Sequence, residues 1–410
     1  MRKYARYKDS GISWIGDVPE HWDVDKLGRH FTQRKEKVSD KDYPPLSVSK
    51  MGVTPQLESA CKTDDGDNRK LVLKGDFVVN SRSDRKGSCG LSELDGSVSL
   101  INIVATPRNI GGHYIHYLFR SNNYIEEFYR MGRGIVADLW TTRWSEMRTI
   151  MIPVPPLPEQ KAIAEYLDKK TAQINELVSA KQKQIELLKE YKQSVIANAV
   201  TGKLNKNCRM KDSGVSWIGK IPENWEVDKL GHRFIQRKEK VSDKDYPPLS
   251  VSKMGVTPQL ESACKTDDGD NRKLVLKGDF VVNSRSDRKG SCGLSELDGS
   301  VSLINIIATP RNIDGHYIHY LFRSSNYIEE FYRMGRGIVA DLWTTRWSEM
   351  RTIMIPVPPL SEQKEIVAYI EKKVSSIDSQ VASIENQIAN LNEYKQSLIS
   401  DVVTGKVKVC

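Results

Sequence analysis

Toward the C-terminus the apolar positions keep a steady beat. Ile370, Ile377, Ile384, Leu391 and Leu398 recur every seven residues. Val374, Val381, Ile388 and Val402 follow four residues on, with Lys395 interrupting. That spacing predicts a long amphipathic helix with a coiled-coil seam. An earlier stretch keeps the same register with Leu167, Ile174, Leu188 and Val195. Lys181 takes the remaining position, and Val178 and Ile185 add the second series. "PVPPLPEQ" and "PVPPLSEQ" stand before the two stretches, and proline is tolerated at a helix start but not inside one. Gly202 and Gly405 follow them, as a glycine stop would. Helices are expected over about 159–201 and 362–403, each roughly 60 Å long at 1.5 Å per residue.

The remaining sequence mixes two periods. "KLVLKGDFVVNS" (70–81) and "VSLINIVATP" (98–107) are rich in β-branched residues and predict strands. "HYIHYLFRSNNYIEEFYRM" (113–131) predicts one or two helices. Together they describe an α/β module with irregular, charged loops.

The chain is also a duplication. "KDSGISWIGDVPEHW" from Lys8 returns as "KDSGVSWIGKIPENW" from Lys211, "EYKQS" recurs at Glu190 and Glu393, and the offset is 203 throughout. Residues 34–157 and 237–360 align over 124 positions and differ at three: Val104/Ile307, Gly111/Asp314 and Asn122/Ser325. The helical stretches 158–203 and 361–406 align over 46 positions and match at 22. Such uneven divergence marks the first block as a separable module. The expected divisions are 1–157 and 204–360 as globular domains, 158–203 as the first long helix, and 361–410 as the second with a tail. If the helices pair antiparallel, the halves are related by an approximate two-fold.

At 410 residues several domains are allowed. A net charge of +9 favours an anionic partner, nucleic acid first. No segment approaches the ~20 apolar residues of a spanning helix, and "MRKYARYKDSG" does not resemble a secretory signal, so a cytoplasmic protein is expected. Cys61, Cys89, Cys208, Cys264, Cys292 and Cys410 form no C-x-x-C pair and are read as reduced thiols.

Catalytic signatures are missing. Neither a dinucleotide fingerprint nor a P-loop occurs. "DYPPL" (42–46) lacks the flanking residues of an adenine-methyltransferase motif. The pairs His113/His116 and His316/His319 have no companion ligands in sequence and are read as packed or surface histidines. Glu36 with Lys37, and Glu159 with Lys161, echo fragments of a nuclease core without its metal-binding aspartate.

Three stretches of the module combine cations, small polar groups and glycine. The first holds Arg34, Lys35 and Lys37; the second holds Asn80, Ser81, Arg82, Arg85 and Lys86; the third holds Arg133, Thr141, Thr142 and Arg143. Their repeats are Arg237, Lys238 and Lys240; Asn283, Ser284, Arg285, Arg288 and Lys289; and Arg336, Thr344, Thr345 and Arg346. Arginine and lysine neutralise phosphate, and arginine and asparagine also read base edges. The competing reading is a set of solvated loops.

The pattern resembles the DNA-specificity subunit of type I restriction-modification enzymes over essentially the whole chain. The resemblance rests on "IPVPPLPEQKAIAEYLD", "KDSGISWIGDVPEHW" and the Gly-Asp, strand, Ser-Arg turn "KGDFVVNSRSDRKGS". It implies an α/β fold with two globular target-recognition domains joined by two long antiparallel coiled-coil helices. It also implies double-stranded DNA as ligand, two adenine-methyltransferase subunits docked on the helices, endonuclease subunits around that core, and no membrane. The chain itself would be non-catalytic and hold no cofactor, S-adenosylmethionine and ATP belonging to the partners. Family members commonly carry two different recognition domains. Here the domains nearly match, so one half-site is expected to be read twice, as an interrupted palindrome, with the helices setting the spacer. Two other readings stay open at this level: a self-contained nuclease or methyltransferase, and a coiled-coil scaffold.

Overall fold

A computed structural model describes residues 2–57, 66–134, 140–204, 208–260, 269–337 and 343–409. The chain divides into two compact units, Met1–Lys181 with Glu385–Cys410, and Gln182–Ile384. Each unit holds one globular module and one end of each long helix.

In the first unit the core is a four-stranded antiparallel sheet in the order Cys89–Leu91, Phe77–Asn80, Asn102–Pro107, Phe31–Gln33. The apolar run Phe77-Val78-Val79 serves two cores because successive side chains on a strand point to opposite faces. Phe77 and Val79 join Phe119, Ile103 and Ala105 in the main core. Val78 joins Leu46, Val72, Val98 and Val104 on the other face. A three-stranded sheet runs Gly96–Val98, Arg69–Val72, Lys37–Val38. The stretch 70–81 is therefore two strands, because Gly75 adopts φ 92° and turns the chain between them.

The stretch 113–131 is two helices, Gly112–Leu118 and Asn122–Arg130. Ser121 separates them, its hydroxyl accepting from the amide of Tyr124 as an N-cap. Phe119 and Tyr124 stack with ring centroids 4.3 Å apart, fixing the angle between the two helices.

The long helices are Leu157–Val200 and Leu360–Val403, 44 residues each. Ile163, Leu167 and Ile174 of the first and Leu398, Ile399, Val402 and Val403 of the second enter the same core as the module. Their direction follows from the cross-pairs. Lys395 Nζ donates to Asn175 Oδ1 at 2.9 Å, and Lys181 donates to Gln387, so numbers rise on one helix as they fall on the other. The run is antiparallel, and the two lysines that interrupt the heptads each bond an amide across the seam. In the second unit Lys192 meets Asp378 at 2.8 Å in the same sense. There Ile196, Ala199 and Val200 pack with Ile366 and Ile370.

The proline-led helix starts are anchors. Buried Gln160 accepts from the amide of Gly111 at 2.6 Å and donates to the carbonyl of Pro155. Buried Glu159 accepts from Trp22 Nε1 at 3.0 Å, bonds His21 at 2.9 Å, and accepts from the Tyr4 hydroxyl. Burial alone would raise the Glu159 pKa, but these bonds hold it below its ordinary value. Its pairing with Lys161 in the sequence thus reflects the anchoring of a helix.

Both helices stop on a left-handed glycine, Gly202 and Gly405, each with φ 78°. The amide of Lys203 bonds the carbonyl of Asn198, and that of Lys406 bonds Asp401, closing Schellman-type caps. A Cβ at Gly405 would run into Pro19 and Trp22, and one at Gly202 into Pro222 and Trp225. Gly405→Ala is expected to destabilise the protein by at least ~1–2 kcal/mol, the left-handed penalty before any clash. Gly11→Ala, also at positive φ but with nothing within 4 Å of the added carbon, should cost less. Equal melting shifts for the two variants would contradict the steric argument.

Candidate nucleic-acid interface

The first cationic stretch splits. Arg34 turns onto Asp76, which is 1% exposed, with Nε 2.6 Å from Oδ2 and Nη2 3.1 Å from Oδ1. Asp76 also accepts from Thr106 Oγ1 at 2.7 Å and from the amide of Leu73 at 2.9 Å. The hydrogen bond to Asp76 raises the Arg34 pKa. Arg237 repeats the arrangement on Asp279. These two arginines tie strands together, whereas Lys35, Lys37, Lys238 and Lys240 are exposed.

The second and third stretches are brought together by backbone bonds. The Ser83 amide donates to Trp140, the Thr142 amide donates to Ser81, and Arg133 and Thr141 exchange bonds in both directions. Thr141 therefore bridges Arg82 on one side and Arg133 on the other. Several candidate side chains serve this frame. Ser81 donates to the carbonyl of Ile101, and Thr142, with no exposed surface, donates to Phe128 at 2.8 Å. Asn80 accepts from the amide of Arg82. The Tyr129 hydroxyl, its pKa driven up by burial, bonds the carbonyls of Asn80 and Arg85 and pins the loop to a helix. Ser284, Thr345 and Asn283 make the same bonds in the second unit.

What the loop presents outward is Arg82, Arg85 and Lys86. Arg82 and Arg85 lie 3.0 and 3.8 Å from Asp84, and Lys86 lies 3.1 Å from Glu126. Arg285 and Arg288 pair with Asp287, and Lys289 with Glu329. Exposed pairs of this kind are worth ~0–1 kcal/mol, so they yield readily to a phosphate. Arg133 and Arg143 are exposed on the adjoining segment, as is Arg346 in the second unit; Arg336 lies 3.9 Å from Glu349.

The first and third stretches meet in a groove of about 830 Å³. Lys26, Arg29, Lys35, Arg143 and Arg148 line it with Trp144, and none of its lining residues is acidic. Its wall depends on a glycine. The amide of Gly28 donates to the Arg148 carbonyl at 2.9 Å. A Cβ at Gly28 would lie 2.9 Å from Arg148 Cβ, so a side chain there would part the two segments. The second unit repeats the contact at Gly231 and Arg351. Lys26, Arg29 and Arg148 were not among the sequence candidates. Each stands outside the dense cationic runs, and only the fold gathers them.

The other polar groups serve the fold. Burial and neighbouring Arg120 push the His116 pKa down to about 4, and Arg323 acts likewise on His319. Burial raises the Cys89 thiol to about 11 and Cys292 to about 12. Cys208 is half-buried with its Sγ 3.5 Å from Met210 Sδ, and Cys61, Cys264 and Cys410 lie outside the described residues. Among the described residues no group of His, Cys, Asp and Glu could hold a metal ion, and no helix is long and apolar enough to cross a membrane.

Comparison with known proteins points one way. Residues 140–187, from the third cationic stretch into the first long helix, match the type I restriction modification DNA specificity domain. The MjaVIII type I restriction enzyme specificity subunit of Methanocaldococcus jannaschii is 27% identical, over 96% of this chain and 94% of its own. The EcoKI specificity subunit of Escherichia coli is 23% identical, over 96% and 90%. Among solved structures, the HsdS subunit from Thermoanaerobacter tengcongensis superposes with a TM-score of 0.54 at 17% identity, over 95% and 98% of the two chains. A chain solved in work on complex assembly of the type I R-M system reaches 0.67 at 15% identity, over 95% and 99%.

Proposed function

The chain belongs to the specificity subunits of type I restriction-modification enzymes, and we propose that each of its modules grips one half of a bipartite DNA site through the cationic groove and the loop beside it. It is the DNA sequence-recognition member of its assembly and non-catalytic, working with methyltransferase and endonuclease subunits. The observation that carries the mode of binding is the groove, where five cations converge with no carboxylate among them. Phosphate neutralisation supplies most of the grip of a DNA-binding surface. The contact set we assign is Lys35, Lys37, Arg82, Arg85, Lys86, Arg133 and Arg143, joined by Lys26, Arg29 and Arg148, with their repeats, among which His232 stands at the place of Arg29. Arg34, Ser81 and Thr142 hold the shape of that surface. Two methyltransferase subunits would dock on the helices, and double-stranded DNA in the cytoplasm would be the ligand.

Two matching readers favour one half-site, and the antiparallel run of the helices favours opposite orientation of its two copies. The target is then an interrupted palindrome. Mapping methylated sites in cells expressing this chain with a methyltransferase partner is expected to return inverted repeats around a fixed spacer. Unrelated halves, or direct repeats, would overturn this reading.

The helices act as the ruler. Removing one heptad from both shortens each by ~10 Å at 1.5 Å per residue, about three base pairs of DNA. The mapped spacer should change while the half-sites stay the same; an unchanged spacer counts against the ruler.

A further inference from the structure

The two modules are less alike than their 124-residue block implies, because the groove is also lined from outside that block. Four of its lining residues, Lys26, Gly28, Arg29 and Gln33, precede residue 34. Three of these return unchanged as Lys229, Gly231 and Gln236, but Arg29 returns as His232. The doublet Arg29-His30 is inverted to His232-Arg233.

The inversion moves a charge. In the first module Arg29 is 72% exposed and pairs with the rim carboxylate of Asp25, at 2.7 Å. Its neighbour His30 is turned inward at 15% exposure. In the second module the outward position belongs to His232, 66% exposed and 2.7 Å from Asp228. The arginine now occupies the inward place. Arg233 is 20% exposed and held by Asp228 at 2.7 Å and Glu226 at 3.2 Å. Glu226 replaces the shorter Asp23, so the second module carries a longer acid opposite its inward arginine. The segment itself is placed alike in both. Leu27 and Gly28 bond Ile150 and Arg148 as Leu230 and Gly231 bond Ile353 and Arg351.

We infer that position 29/232 makes the two modules unequal in their grip on the same half-site. The first offers a permanent guanidinium to the DNA backbone where the second offers an imidazole. The difference lies in phosphate neutralisation and leaves the base preference shared. This rests on the groove facing DNA. Arginine holds its charge at any working pH and can engage phosphate with two donors, whereas histidine changes charge near neutrality. One module therefore anchors first and more firmly.

The test is equilibrium binding of the full chain, assembled with its methyltransferase partner, to a duplex carrying the mapped site, across a salt series at about pH 8, where imidazole is ordinarily neutral. Arg29→His should flatten the slope of log affinity against log salt by about 0.9, the value of one phosphate contact on duplex DNA. His232→Arg should steepen it by about 0.9. Over a fourfold rise in salt each change corresponds to roughly 3-fold in affinity. Both positions are exposed, and melting temperature serves as the folding control. If the wild-type complex binds selectively and both variants keep its slope, the asymmetry is refuted while the groove assignment stands. A loss in Arg29→His that is independent of salt also refutes it. If the wild-type complex shows no selective binding at all, the groove assignment itself falls, and this inference with it.

Discussion

Asp76→Ala should destabilise the first unit by ~3–5 kcal/mol, the cost of leaving a buried charge without its partner. Asp76 is buried and receives four hydrogen bonds, from Arg34 twice, Thr106 and Leu73. Its removal strands a guanidinium that is only 22% exposed, together with a backbone amide and a hydroxyl. At ~2–4 °C per kcal/mol for a unit of this size, the melting point of that unit should fall on the order of 10 °C. The carboxylate sits at the turn that starts strand Phe77–Asn80, so the loop it presents should loosen as well. Replacing both partners by apolar residues, Arg34→Met with Asp76→Leu, should recover part of the loss, because no unpaired charge is then buried. Thermal unfolding of the single and double variants decides the matter. If Asp76→Ala melts like the wild type, Arg34 is not held by a structural bond and returns to the list of DNA contacts. The same series at Arg237 and Asp279 serves as an internal replicate.

How far the sequence was legible depends on the distance over which each signal acts. The long helices could be read because a seven-residue beat is local, and the seam residues Ile370, Ile377, Ile384 and Leu398 are all buried. Their pairing could also be anticipated, since each exposed apolar stripe needed a partner of equal length, whereas the antiparallel direction came from the family resemblance. The α/β module was visible in outline, but its joints were not. Gly75 breaks one apparent strand into two, and Ser121 breaks one apparent helix into two. The candidate interface was legible as charge and not as geometry. Nothing local to Arg34 reveals that its partner lies 42 residues on, and nothing local to Thr142 reveals that it is fully buried. Conversely Lys26, Arg29 and Arg148 are isolated cations in the sequence, and the close approach at Gly28 is what gathers two of their segments. The sequence candidates all recur unchanged in the second module, but the groove also draws on residues ahead of the near-identical block, and there one lining position differs, Arg29 against His232.

The larger functional effect is expected from emptying the groove. Alanine at Lys26, Lys35, Arg143 and Arg148, with Lys229, Lys238, Arg346 and Arg351, removes four cations from each module. Lys26, Lys35 and Arg148 make no ion pair with the protein among the described residues, so their loss frees no carboxylate and opens no core. Arg143 adjoins the short helix Trp144–Met147 and is exposed. Folding should survive, which a melting curve can establish before any DNA is added. Binding should not. If all eight meet phosphate, the salt slope should flatten by about 7, affinity should fall at every working salt concentration, and the roughly 10³–10⁵-fold weakening that such contacts give between about 50 and 200 mM salt should largely vanish. The fall should be similar on target and non-target duplexes if these residues only neutralise backbone, since phosphate contacts carry no sequence information. If Arg143 also reads a base, restoring it and Arg346 alone should return selectivity of ~1–3 kcal/mol at one position of each half-site before full affinity returns. A folded eightfold variant that binds its target with wild-type affinity and salt dependence would place the DNA on another face of the modules.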